Sequence, residues 1–149
     1  MQYTIEPIGW VTCSRLVPDD DHWNSFDAYI ELAPSVPGES IAGIEGYSHL
    51  EIIFLFDKAE EVVWYGHPRG NTDWPLTGIF ATRKKDRPNH IGLTTVELIK
   101  VEGRKLYVKN LDAIDGTPVI DIKPVWKGFQ PKAAIRQPLW VDELMKNYW

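Results

Sequence analysis

Two short stretches concentrate the side chains able to hold a charged small molecule. The first runs Gly78-Ile79-Phe80-Ala81-Thr82-Arg83-Lys84-Lys85-Asp86-Arg87-Pro88-Asn89-His90-Ile91-Gly92-Leu93, with four cations inside five residues. Arg83 and Arg87 carry planar guanidinium forks that grip a carboxylate or phosphate through two parallel hydrogen bonds, whereas Lys84 and Lys85 offer point charges. Pro88 and Asn89 mark the stretch as a loop, and loops on rigid flanks are where binding residues gather. A solvated basic hairpin would show the same residues.

The second stretch, Asp112-Ala113-Ile114-Asp115-Gly116-Thr117-Pro118-Val119-Ile120-Asp121-Ile122-Lys123-Pro124, sets three aspartates around one Asp-Gly pair. Asp-Gly predicts a tight hairpin turn with Gly116 at positive φ. Asp112 and Asp115 are candidate proton acceptors by position. A basic loop facing this acidic turn suits a ligand of both signs: a sulfonium seeks oxygens, an amino-acid carboxylate seeks arginine, and a nucleobase seeks backbone polar groups in an apolar slot.

The remaining polar residues carry less. His22, His49, His67 and His90 show no metal-ligand spacing, and a lone cysteine, Cys13, makes neither a zinc site nor an intramolecular disulfide. His49 leads into an apolar run and reads as a satisfied structural histidine, while His90 lies in the basic loop.

The elements that position these residues are β-strands. Period-two and β-branched segments at 3–11, 27–32, 49–56, 62–66, 78–82, 92–101, 105–111 and 118–122 are separated by Gly, Pro, Asp or Asn. Eight short strands with little helix predict an all-β chain forming one closed or nearly closed barrel, because closure removes unpaired edges. A short C-terminal helix follows Gln137-Pro138. Its apolar stripe of Trp140, Val141, Leu144, Met145 and Tyr148 must dock on the barrel wall or on a second copy.

Composition sets the frame. The 149 residues fit one domain, and 44% hydrophobic with 25% charged residues argues against disorder. The start lacks a secretion signal, and the longest apolar run, residues 52–56, is too short to cross a bilayer, so a cytoplasmic location is expected. Residues 1–79 carry a net −10 and residues 80–149 a net +5. That asymmetry hints at an anionic partner unless the two halves interleave in space.

Taken together, Phe-Ala-Thr-Arg at 80–83, Arg-Pro-Asn at 87–89, Ile-Gly-Leu at 91–93 and Asp-Gly-Thr-Pro-Val-Ile-Asp-Ile-Lys-Pro at 115–124 resemble the signature of the TsaA-like family of β-barrel proteins. Pro7-Ile8-Gly9 and Ile44-Glu45-Gly46-Tyr47-Ser48-His49-Leu50 are similar to family segments in order and spacing, so the resemblance covers residues 7–124. It implies a barrel that binds S-adenosylmethionine, commonly as a homodimer, and methylates threonylcarbamoyladenosine beside the anticodon of tRNA. Carried over by motif, Phe80, Arg83 and Leu93 line the cofactor site; Ile114, Asp115, Gly116 and Thr117 form its opposing turn; Arg87 and Asn89 shape the loop. Asp57 and Lys58 occupy a position that contacts cofactor in the family, with different residues here.

The chain also departs from the pattern. Lys84-Lys85 replaces Ser-Pro, His90 replaces Pro, Val125 replaces Tyr, and the N-terminal Pro-Arg-Gln-like element gives way to Asp19-Asp20-Asp21-His22-Trp23. Those acids repel phosphate, and the further C-terminal domain of longer members is not in this sequence. Two alternatives follow: a barrel that binds the cofactor without catalysis, or transfer to a small acceptor drawn by Lys84 and Lys85.

Overall fold

The computed structural model describes residues 1–149. Its strands are β1 (Gly9–Cys13), β2 (Ala28–Leu32), β3 (His49–Leu55), β4 (Tyr65–Gly66), β5 (Thr77–Gly78), β6 (Ile91–Glu102), β7 (Lys105–Lys109) and β8 (Pro118–Pro124), followed by one helix, α1 (Leu139–Met145). Six strands close into an antiparallel barrel in the order β1-β2-β7-β6-β3-β8, with β8 returning to β1.

Period-two burial drives closure. Along β3, Leu50, Ile52 and Phe54 point inward, and across from them β6 turns Gly92, Thr94 and Val96 the same way. These side chains meet Val11, Ile30, Leu106, Val108 and Val119 in one core of thirteen buried residues. Burying an aliphatic or Phe side chain contributes about 1.5 to 3 kcal/mol.

All eight expected segments contribute strand, but the barrel uses six. β4 and β5 pair only with each other, as a short sheet beside it. The expected 78–82 strand stops at Gly78 because Thr82 turns back, its N–H and Oγ1 both donating to the Ile79 carbonyl. The expected 3–11 strand begins at Gly9: Pro7 has no N–H to give, and the first ladder bond is Ile8 N–H to the Val119 carbonyl, 2.8 Å.

Neither polar stretch is a hairpin. The basic loop leads from β5, outside the barrel, into β6, and the Asp-Gly turn joins β7 to β8, which are not neighbours. The charge asymmetry is partly interleaved in space. Strands of the acidic half lie beside strands of the basic half, setting Glu31 opposite Lys105 and Glu51 opposite Lys123. No helix is long and apolar enough to cross a membrane.

Candidate functional site

The Asp-Gly turn is held by the end of β1. Gly116 takes φ 80°, as a tight turn demands, and donates its N–H to the Val11 carbonyl at 2.8 Å. Asp115 accepts the Cys13 N–H at 3.1 Å through Oδ1, and Thr117 Oγ1 closes the turn on the Ile114 carbonyl at 2.7 Å. Ile114 and Thr117 are buried and face a large cavity; Asp115 and Gly116 are outside its lining.

The basic loop lines the same cavity. Arg87 donates to the Thr82 carbonyl at 2.9 Å, and Arg83 donates to the Leu93 carbonyl, so each guanidinium is anchored with N–H groups to spare. Asn89 and His90 take φ 62° and 50°, a left-handed pair that redirects the chain into β6. Asn tolerates that region better than most residues, so Asn89 shapes the loop without lining the cavity. Asp86 joins the loop to its neighbourhood, accepting the Glu60 N–H and the Lys85 ammonium, each at 2.9 Å. Burial raises the Asp86 carboxyl, but these two bonds outweigh it and hold it below the usual carboxylate range.

The cavity occupies about 1400 Å³ at the barrel end. Phe80, Arg83, Arg87, Leu93, Ile114 and Thr117 all line it, and Asp57, Lys58, Lys84, Lys85 and Asp112 are among its polar lining residues. Ligand pockets commonly run to about 300–1,000 Å³, so this one has room for a nucleoside-sized group and part of a second molecule.

Its remaining wall comes from residues outside both polar stretches. Arg15 is 5% exposed and donates to the carbonyls of Val17, Asp19 and Asp21, with its guanidinium 3.6 Å from the centre of the Trp23 ring. It thereby folds the acidic segment 16–23 against the rim. The apolar stripe of α1 and its tail docks here, since Trp140, Val141, Leu144, Met145 and Tyr148 all line the cavity. Trp140 stacks on Trp74 with centroids 6.0 Å apart, and the Trp74 indole donates to Glu143 at 2.7 Å. Backbone bonds from His22 N–H to the Asn147 carbonyl and from Trp23 N–H to the Tyr148 carbonyl, 2.9 and 2.8 Å, join the two walls. His49, expected to be a satisfied structural histidine, is exposed: its ring bonds the neighbouring Ser48 at 2.7 Å, and the period-two alternation of β3 faces it outward.

The family described as tRNA-methyltransferase O N-terminal domain matches residues 15–130, which spans the loop, the turn and all but the first barrel strand. The chain belongs to this family. A human tRNA (adenine(37)-N6)-methyltransferase is 40% identical over 114 residues, 74% of this chain and 25% of that protein. A probable S-adenosyl-L-methionine-binding protein of Methanothermobacter thermautotrophicus is 35% identical over 131 residues, covering 85% of this chain and 93% of that one. The crystal structure of TrmO from Pseudomonas aeruginosa superposes with a TM-score of 0.76 at 29% identity, over 93% of this chain and 63% of that one. The chain therefore spans a quarter of the human relative and under two thirds of the solved one, but nearly all of the archaeal one.

The donor set of this TrmO-type cavity fits S-adenosylmethionine. Spare guanidinium N–H groups on Arg83 and Arg87 match an amino-acid carboxylate, aspartate and backbone oxygens match a sulfonium, and Phe80, Leu93 and Ile114 give an apolar slot for a purine.

Proposed function

We propose that this chain binds S-adenosylmethionine in the cavity between the basic loop and the Asp-Gly turn and transfers its methyl group to the exocyclic amine of an adenine beside the anticodon of tRNA. The observation that carries the reading is that Arg83, Ile114 and Thr117, remote in sequence, line one cavity. Family membership and the relatives' names support the same chemistry.

Bound there, S-adenosylmethionine supplies an electrophilic methyl group on a sulfonium that becomes a neutral thioether as the carbon–sulfur bond breaks. The protein's part is alignment and proton acceptance. Arg83 holds the carboxylate, while Phe80, Leu93 and Ile114 hold the purine. Asp112 accepts the proton that the amino nitrogen sheds as its bond to the methyl carbon forms. Asp115, committed to the Cys13 N–H, fixes the turn. Lys84 and Lys85 meet backbone phosphates, so RNA affinity falls with salt.

Phe80 is 76% exposed and Leu93 45%, so one copy leaves the purine slot open to solvent. A homodimer that covers this edge would complete it, and a cytoplasmic location suits the acceptor. The archaeal relative, a probable S-adenosyl-L-methionine-binding protein, favours a second reading, cofactor binding without transfer.

Mass spectrometry of tRNA nucleosides, with and without the protein and S-adenosylmethionine, tests the proposal. A methyl group gained on that adenine is the expected result. Cofactor binding with unmodified tRNA would leave the sensor reading in its place.

A further inference from the structure

Asp112 is held from two sides. Thr94 Oγ1 donates to one carboxylate oxygen and the Tyr148 hydroxyl to the other. Thr94 lies on β6, nearly buried, whereas Tyr148 follows α1, beyond residue 130 where the family match ends. All three line the cavity.

The geometry makes Asp112 an acceptor with capacity left over. A carboxylate offers about four lone-pair sites, and two hydroxyls fill half of them. Burial, and then the charge and hydrogen bond of Asp112, push the Tyr148 hydroxyl well above the usual phenol range, so it stays a donor at neutral pH. Tyr148 is itself anchored: its carbonyl takes the Trp23 N–H at 2.8 Å and its ring lies 6.5 Å from the Trp23 ring, centre to centre. Trp149 packs edge-on against the Tyr148 ring, centres 4.9 Å apart, and both it and Trp140 line the cavity, so aromatic surface adjoins the fixed carboxylate through Tyr148.

An aromatic wall beside a carboxylate is complementary to an unstacked base that carries an amino group, since the ring stacks and the amine donates. We propose that Tyr148 is a positioning residue: it fixes Asp112 so that the free lone pairs of the carboxylate accept the exocyclic amine of the acceptor base, selecting adenine over bases with a carbonyl at that position. This rests on the RNA acceptor proposed above and names the residues that read it.

The test compares two RNA hairpins with the sequence of an anticodon arm, one with adenine next to the anticodon and one with hypoxanthine there. Equilibrium affinities are measured on the full chain with S-adenosylhomocysteine present, so that no transfer occurs. The wild type is expected to prefer adenine by about tenfold or more, the scale of a hydrogen bond to a charged group. Tyr148→Phe, which keeps the ring, and Thr94→Val, which keeps the shape, should each lose most of that preference while cofactor affinity by calorimetry is unchanged. Asp112→Asn, whose amide can donate, should move the preference toward hypoxanthine. Equal binding of the two hairpins by the wild type, or an undiminished preference in Tyr148→Phe, overturns the proposal. An adenine preference without methyl transfer upholds this subsite and counts against the catalytic reading, and cofactor binding with no hairpin binding overturns both.

Discussion

Gly92 lies directly opposite Phe54 in the β3–β6 register, and a Cβ built on Gly92 would sit 2.5 Å from the Phe54 ring. Phe54 is 1% exposed and cannot retreat. Gly92→Ala therefore forces the ring off its position and should cost about 1 to 3 kcal/mol, the range for overpacked cores. Urea unfolding checks it, with a lower midpoint at constant slope expected.

Arg83 is exposed and makes its one recorded bond to the Leu93 carbonyl, so its replacement should spare the fold. Arg83→Ala is expected to weaken S-adenosylmethionine binding by roughly 1.5 to 3 kcal/mol while moving unfolding stability by less than about 0.5 kcal/mol. Calorimetry and denaturant titration separate the two effects, and unaltered affinity would remove Arg83 from the site.

Arg15 has the opposite character. Truncating it removes a donor from the Val17 carbonyl, leaves the Asp19 and Asp21 carbonyls without their side-chain donor and strips a cation from the Trp23 ring. Arg15→Ala should cost about 2 to 4 kcal/mol and open segment 16–23 to proteases. Limited proteolysis mapped by mass spectrometry would report the cut sites.

Asp86 gives the pH dependence. Its carboxyl is depressed in the folded chain, so folding is favoured by this group above the unfolded carboxylate value of about 3.9, and the contribution disappears as pH falls through the folded value. The stability gap between wild type and Asp86→Asn should be constant near neutrality and shrink below about pH 4. A gap that persists unchanged at pH 2 would show that the effect of the substitution is not electrostatic.

Gly116 stands at φ 80°, where a β-branched side chain is strained. Gly116→Val should destabilise the chain by about 1 to 3 kcal/mol and weaken cofactor binding in parallel, because Ile114 and Thr117 are carried by the same turn. Thermal melts and calorimetry on one preparation check both.

Strand positions were legible in the sequence because inward and outward residues alternate locally, as Leu50, Ile52 and Phe54 do. The positive φ of Gly116 was legible for the same reason: Asp-Gly states its own backbone requirement. Strand order was not, since period two records which face a residue takes and nothing about which strand lies beside it. That is why the loop and the turn read as hairpins, and why nothing local marks Glu31 and Lys105 as each other's neighbours. The contact of Thr94 and Tyr148 with Asp112 was equally hidden. Threonine on a strand and tyrosine on a helical stripe both read as ordinary packing, and only closure of the barrel brings them to one carboxylate.

The Trp23–Tyr148 backbone bond makes the pocket depend on a segment that the barrel itself does not contain. The last barrel strand ends at Pro124, so the cylinder can be complete without residues 139–149 in place. With that segment undocked, a ligand would meet an intact cylinder whose mouth lacks one side.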